Sequence, residues 1–388
     1  MRSLTTGLLA GAVVALLAGT SHAGLVLHST MDDVHVHRGA TYPPPALDAG
    51  DGNFTVDDIV GGNHGTASAD GDDHTPPNNH DVLESSAVGA IGEALLMRHD
   101  DPIRRRVNYG GVPELDDDGS FAFSIWYKPT TLPDSGDYVV TRGERWSTNT
   151  EMWTVKGTDP TGEISVRAST DGAGNRMELV HSITEDEWYN IVGVFDAAAV
   201  AGPEPTGRLI AYINGEGSGL DGTGGSWTLG AEGNSYASTE EFDRNYNIKM
   251  GMRPREHQNN EAHGDYDDFA LWDDALTVGE ARSLYTLAMK VGLNYNASQA
   301  QALWDVFTSG TSATVGGKEW AQASGLSGNA GDVFDLGGGD FALVLDASGN
   351  GVSTVAEPST VIPEPSTFVI WSLGLIGLAA YARWRRTK

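Results

Sequence analysis

The chain of 388 residues contains no cysteine. That excludes disulfides, thiolate metal sites and a cysteine nucleophile. Basic residues are scarce: 24 Lys and Arg stand against 53 Asp and Glu, a formal charge of −29. A phosphate backbone needs a basic patch, so general nucleic-acid binding is excluded as well. No internal repeat marks a solenoid. What is plentiful is glycine, 50 residues, which favours turns and loops over long helices. Hydrophobic residues make up 39%, enough for a packed core.

The two ends have the texture of addresses. Arg2, the apolar stretch Leu8 to Leu17 and the small residues of Ser21-His22-Ala23 read as a secretory signal over 1–23, cut after Ala23. At the other end Val361-Ile362-Pro363-Glu364-Pro365 precedes an apolar run from Phe368 to Ala382 and a terminus rich in arginine. Fifteen residues make a helix of about 22.5 Å, short for a bilayer core of about 30 Å. Trp371, Trp384 and the arginines would therefore sit at the interfaces or snorkel, with the basic end on the cytoplasmic side. This Pro-Glu-Pro motif, short helix and basic end resemble the PEP-CTERM sorting signal. The resemblance implies a single C-terminal transmembrane helix with its basic tail over 368–388, a stalk over 356–367 and cutting by an exosortase near Pro363, Glu364 and Pro365. It also implies Sec export, brief inner-membrane anchoring, and delivery to the cell surface, outer envelope or an exopolysaccharide-rich extracellular matrix. Residues 24–365 would carry 19 basic against 53 acidic residues, a net charge of −34.

Between Gly119 and Leu276 short β-branched and aromatic segments alternate with turns. Phe121, Phe123 and Ile125 fall on one face of a strand, and Asn214-Gly215 is a hairpin dipeptide. Further strands are expected at Tyr138–Thr141, Met152–Val155, Glu163–Ala168, Met177–His181, Trp188–Phe195, Arg208–Ile213, Ile248–Met252 and Asp267–Trp272. Such spacing predicts an all-β sandwich or jelly roll. Four words in order sharpen this: Phe121-Ala122-Phe123-Ser124-Ile125-Trp126-Tyr127-Lys128-Pro129, then Glu187-Trp188-Tyr189-Asn190-Ile191-Val192, then Leu209-Ile210-Ala211-Tyr212-Ile213-Asn214-Gly215, then Asp267-Asp268-Phe269-Ala270-Leu271-Trp272. Together they resemble the concanavalin A-like, laminin G-like jelly rolls. Asn190 departs from the histidine common at that position. Leu27 to Asp33 resembles the first strand of that family and Ala90 to Leu95 a later one, so the domain is placed at 24–290.

Thr277 and Glu280 form a capping box for a helix that presents Ala281, Leu284, Tyr285 and Ala288 on one face. Asn296 opens a second helix bearing Leu303, Trp304 and Phe307. With a strand at Phe341–Asp346, it makes 291–355 a small helix-plus-strand appendage that packs on the sandwich.

Acidic loops in a body without disulfides suit a hard cation with oxygen ligands. The family resemblance implies one structural calcium held by Asp33, Asn63 with the Gly62 carbonyl, and Asp267. Asp116-Asp117-Asp118-Gly119 and Asp346 to Gly351 lack the glutamate of a calcium loop and read as turns. His35 and His37, with His28 as a third ligand that nothing fixes, read as a solvated loop rather than a metal site.

A glycosidase on this fold needs paired carboxyls about 5–5.5 Å apart. Glu241-Phe242-Asp243-Arg244-Asn245-Tyr246 lacks the final acid, Glu185-Asp186-Glu187 sits in a turn, and no serine nucleophile elbow is present. The expectation is a protein that is not an enzyme: a surface or matrix module binding glycan or protein. A carbohydrate-active enzyme and a purely structural matrix component are the rivals. Glycans stack on aromatic rings, so Trp146, Trp153, Trp227, Tyr236 and Tyr246, in or near polar loops, are the candidate ligand residues. Trp126, Trp188 and Trp272 are assigned to the core.

Overall fold

A computed structural model describes residues 23–31, 54–70, 84–86, 89–97, 104–113, 115, 119–143, 151–159, 161–169, 176–197, 206–218, 228–229, 235–237, 247–251, 262–292 and 295–355. The signal segment up to His22, the Pro-Glu-Pro stalk and the C-terminal apolar run lie outside them. Among the described residues no helix is long and apolar enough to cross a membrane.

The strands in chain order are β1 (Leu25–Ser29), β2 (Phe54–Val56), β3 (Gly65–Asp70), β4 (Glu84–Ser86), β5 (Ala94–Met97), β6 (Arg104–Gly110), β7 (Phe121–Pro129) and β8 (Tyr138–Gly143). Next come β9 (Glu151–Gly157), β10 (Glu163–Ser169), β11 (Arg176–Ser182), β12 (Tyr189–Asp196), β13 (Thr206–Ile213), β14 (Glu216–Gly217), β15 (Thr228–Leu229), β16 (Ser235–Ala237), β17 (Asn247–Met250) and β18 (Gly264–Trp272). Helices α1 (Val278–Lys290) and α2 (Ala297–Ser309) follow, then β19 (Ala313–Val315), β20 (Lys318–Ala323), β21 (Val333–Gly337), β22 (Asp340–Val344) and β23 (Gly351–Thr354).

Three antiparallel sheets result. The first runs β14-β13-β12-β7-β18-β5-β4, with β1 on β18 and β16 on β13. The second runs β15-β11-β10-β9-β8-β17-β6-β3-β2, and the third β19-β20-β23-β22-β21. The period of two sends alternate side chains to opposite faces. Phe121, Phe123, Ile125 and Tyr127 of β7 therefore meet Trp153, Val155, Ile164 and Val166 of the second sheet in one buried core. Trp153 stacks on Phe123 with centroids 4.5 Å apart. At the expected hairpin, Asn214 and Gly215 have φ of 50° and 75°, the left-handed pair a type I′ turn requires. Asn190 is wholly buried: its Nδ2 donates to Ser124 Oγ at 3.2 Å and its backbone N–H to Asn214 Oδ1 at 2.9 Å. The amide thus fastens β12 to β7 and to the hairpin turn.

The other residues of the same strands build a second core. Ala122, Val192, Val194, Tyr212, Ala270 and Trp272 leave the outer face of the first sheet and are covered by α1, α2 and the third sheet through Leu284, Leu287, Leu303, Trp304, Trp320 and Leu343. The expected capping box is present at Thr277 with Glu280, and the second helix, opened by Asn296 as expected, carries another with Gln299. Trp304 Nε1 donates to Ser283 Oγ at 3.0 Å and Trp272 Nε1 to Gln301 Oε1 at 2.9 Å, so the two rings of this core are also polar anchors. Gly279 lets α1 seat against the third sheet: a Cβ there would stand 2.0 Å from the Leu345 carbonyl oxygen. Arg282 ties the same junction, donating to the Gly215 and Ala330 carbonyls and to Asp332.

Three expectations change. The strand placed at Ala90–Leu95 starts only at Ala94, because Gly89 to Glu93 turn back on themselves, the N–H of Gly89 reaching the Gly92 carbonyl at 2.8 Å. The first strand ends at Ser29, where Met31 takes a left-handed φ of 61°. The segment after α1 is richer in strands than one strand at Phe341–Asp346, since it holds a complete five-stranded sheet.

The Asp346 turn is closed by its own carboxylate. It accepts from the N–H groups of Ser348 and Asn350 and from Asn350 Nδ2, at 2.8 to 2.9 Å. Burial, which raises the pKa, is outweighed by these bonds and by the backbone N–H of Gly349, so the group lies below the ordinary carboxylate value. A lowered folded-state pKa contributes stability above the unfolded value that is lost as pH falls through the folded one. Asp346→Asn removes that contribution, so the melting temperature of the variant is expected to drop less than that of the parent between pH 7 and pH 3. Thermal melts at the two pH values check it.

Candidate functional site

On the outer face of the first sheet Ser124, Trp126, Asp265 and Asp267 are buried, and Lys128 is partly exposed. Beyond the reach of α2, β7 and β18 run side by side with Lys128 opposite Asp265. Alternation sends both side chains outward, and Lys128 Nζ stands 2.8 Å from Asp265 Oδ2. Asp265 is buried, its Oδ1 accepting no hydrogen bond among the described residues, while Lys128 keeps part of its surface in water. The same ammonium lies 5.5 Å from the centre of the Trp188 ring, within cation–π range.

Trp188 is half-buried and packs with Tyr285 against a small cluster of Ala90, Ile91, Trp126 and Ala288. Trp126 is the floor, stacked on Tyr285 at 5.8 Å. The loop before β12 fixes the position of Trp188: Asp186, with φ of 62°, donates its N–H to the Pro129 carbonyl, and Glu185 accepts from the N–H of Leu132. This arrangement offers an apolar ring and a cation on one face, with the Asp265 carboxylate buried beside the cation. The sequence assigned Trp188 to the core. The structure corrects that, because the ring precedes β12 at the rim of the sheet rather than pointing between the sheets.

The other candidates fall differently. Trp153 is not a loop ligand: it lies in β9, fully buried between the two sheets. Polar neighbours in the sequence hid the core position of this ring. Tyr236 falls in β16. Its side chain, and Trp146, Trp227 and Tyr246, lie outside the described residues, as do Glu241, Asp243, His35, His37, Asp116 to Asp118 and the Pro363, Glu364, Pro365 motif. Ala23 is buried in the second core, and the N–H of Gly24 meets Asp273 Oδ1 at 2.6 Å.

Of the calcium set, Asp33 lies outside the described residues. Gly62 and Asn63 belong to a loop wrapped on a different acid, Asp58, which accepts from the N–H groups of His28, Val60, Gly61 and Asn63. Asp267 accepts from the N–H of Ile91 at 2.7 Å. Among the described residues no three His, Asp or Glu side chains gather in a way that would hold a metal.

One constellation escaped the sequence altogether. The register of β18 against β7 shifts between Asp267 and Ala270, and Asp268 takes a left-handed φ of 44°. A bulge re-aims a side chain, and here the Asp268 carboxylate reaches β1 and α2. Its Oδ1 is 2.5 Å from His28 Nε2, and its Oδ2 accepts from the N–H of Ala297 at 3.2 Å. His28 Nδ1 is in turn 2.6 Å from Ser298 Oγ. A carboxylate accepts only, so Nε2 carries the imidazole proton and Nδ1 receives the serine hydroxyl. His28 is wholly buried, Asp268 nearly so, and Ser298 half-buried in the first turn of α2. The residues lie 240 and 30 positions apart along the chain, so no local motif could have joined them.

Residues 107–282 match the family described as the concanavalin A-like lectin/glucanases superfamily. No curated protein matches the chain. Among solved structures it is similar to domain 4 of a GH43 extracellular arabinanase from Geobacillus stearothermophilus in complex with arabinotriose, at 13% identity and a TM-score of 0.40 over 67% of this chain and 98% of that one. It is similar to a SAP-like pentraxin from Limulus polyphemus, at 13% identity and a TM-score of 0.35 over 51% and 82%. A sialidase from Trypanosoma rangeli gives 11% identity and a TM-score of 0.43, over 69% of this chain and only 33% of the sialidase. With two facing antiparallel sheets around one core, the chain carries a concanavalin A-like lectin/glucanase domain.

Proposed function

We propose that the protein is an exported, exosortase-sorted surface or matrix protein whose jelly roll binds glycan on the outer face of its first sheet without cleaving it. The observation that carries the binding reading is the half-buried Trp188 ring beside the Lys128–Asp265 pair. A sugar ring stacks its C–H face on an indole while charged side chains take its hydroxyls. Trp126 and Tyr285 hold the ring from behind, so little ordering accompanies binding. The strongly acidic body favours neutral or cationic glycans over anionic ones.

The export reading rests on the terminal tags. It agrees with the position of Gly24: a cut after Ala23 leaves the new ammonium beside the Asp273 carboxylate, 2.6 Å from it as the chain stands. The intact mass of the secreted product is expected to begin at Gly24 and to end near Pro365. Retention of the arginine-rich end on an exported molecule would contradict the sorting reading.

Binding is tested on a glycan array with the processed protein, run with and without millimolar calcium. A restricted set of neutral or amino-sugar glycans is expected to be retained, whereas an empty array under both conditions would leave the structural-component reading in place. Trp188→Ala is expected to lose at least tenfold in affinity for any glycan retained, while its melting temperature moves little because the ring is only half-buried.

A further inference from the structure

We propose that Ser298, His28 and Asp268 form a second site, one for nucleophilic acyl transfer on small carboxylic esters. The proposal is independent of glycan binding. It rests on the two short hydrogen bonds, 2.6 Å from serine to imidazole and 2.5 Å from imidazole to carboxylate. An orienting acid, a base and a hydroxyl in series are the constellation that activates serine on unrelated folds, and it is recognised by geometry rather than by sequence position.

Three further features fit the roles. Asp268 is fixed from two sides, by His28 and by the N–H of Ala297, so it holds one tautomer of the imidazole. It does so from a left-handed backbone at φ 44°, a conformation that costs energy for a non-glycine residue and that clusters at functional sites. Ser298 occupies the second position of a helix of 13 residues, and its half-buried side chain is the member of the chain that meets solvent. The early N–H groups of a helix have no intrahelical acceptor. Here those of Ala297 and Gln299 are taken by Asp268 and Asn296, whereas that of Ser298 has no acceptor among the described residues. It is available to an oxyanion forming on the Ser298 ester.

The steps balance without an added reagent other than water. Ser298 Oγ attacks the acyl carbon, its proton passes to His28 Nδ1, and Asp268 stabilises the imidazolium. The carbon–oxygen bond to the leaving group breaks and the leaving group takes the proton from Nδ1. Water then attacks the acyl-serine, again losing its proton to Nδ1, and the products are a carboxylic acid, an alcohol and free Ser298. His28 has no exposed surface, so it reaches a leaving group only across Ser298 Oγ. That favours esters whose leaving group departs with little protonation, such as aryl esters, and small acyl groups over peptides.

The full protein is treated with a fluorophosphonate probe and mapped by mass spectrometry, and turnover of p-nitrophenyl acetate is followed. One phosphonyl adduct on Ser298 is expected. Turnover is expected to fall about 100-fold or more in Ser298→Ala and in Asp268→Asn, since general-base assistance contributes roughly 10²–10⁴-fold. No adduct on Ser298 in the parent overturns the proposal whatever the variants do. So does turnover unchanged in Ser298→Ala, and in either case the trio is a hydrogen-bonded pin between β1, β18 and α2.

Discussion

Trp153→Ala is expected to lower stability by about 3–5 kcal/mol, the range for truncating a fully buried tryptophan. The ring has no exposed surface and lies against Phe123 at 4.5 Å and Phe121 at 6.1 Å. It fills the space between the facing sheets, and the strands on either side are too well paired to collapse into the void. Trp153→Phe separates packing from polarity. The indole Nε1 is buried with no hydrogen-bond partner among the described residues, and a buried unsatisfied donor costs about 1–3 kcal/mol. Phenylalanine removes that donor while keeping most of the stacking, so it is expected to cost less than half as much as alanine. Urea unfolding checks both, with the midpoint falling and the slope unchanged. Equal losses for the two variants would contradict this expectation, since alanine leaves much the larger void.

The second large effect concerns the segment after α1. A chain ending at Lys290 is expected not to fold cooperatively, whereas one ending at Val355 melts in a single transition. The truncation strips Leu303, Trp304, Trp320 and Leu343 from the second core and uncovers Trp272, which lies against Trp304 with ring centroids 5.9 Å apart. Each large apolar side chain returned to water forfeits about 1.5–3 kcal/mol, and several at once exceed the roughly 5–15 kcal/mol that holds a domain together. Lost with them are the Trp304–Ser283 and Trp272–Gln301 hydrogen bonds and the bonds from Arg282 to Ala330 and Asp332. Calorimetry on the two chains decides it. A sharp transition at the same temperature in the shorter chain would show that 291–355 is a passenger.

The jelly roll was legible because its strands are locally consistent. Phe121, Phe123 and Ile125 alternate cleanly, Asn214-Gly215 admits one kind of turn, and both capping boxes are complete within four residues. Signals of that range survive in a single sequence. The third sheet was less legible, for β20 and β21 are mostly half-buried or exposed and carry no strong alternation. The site was hidden for two reasons. Trp188 belongs to a word that reads as core strand, yet the strand begins one residue later, at Tyr189. His28, Asp268 and Ser298 meet only because a bulge turns Asp268 outward and because α2 folds back onto β1. Neither event leaves a local pattern.

The glycan reading meets its most direct test when parent and Trp188→Ala are titrated side by side with the strongest glycan from the array, each checked by its melting curve. The expected result is a saturable signal for the parent and none for the variant at equal fold stability. Equal affinity in the two proteins would place the ligand elsewhere on the molecule and remove the outer face of the first sheet from the account.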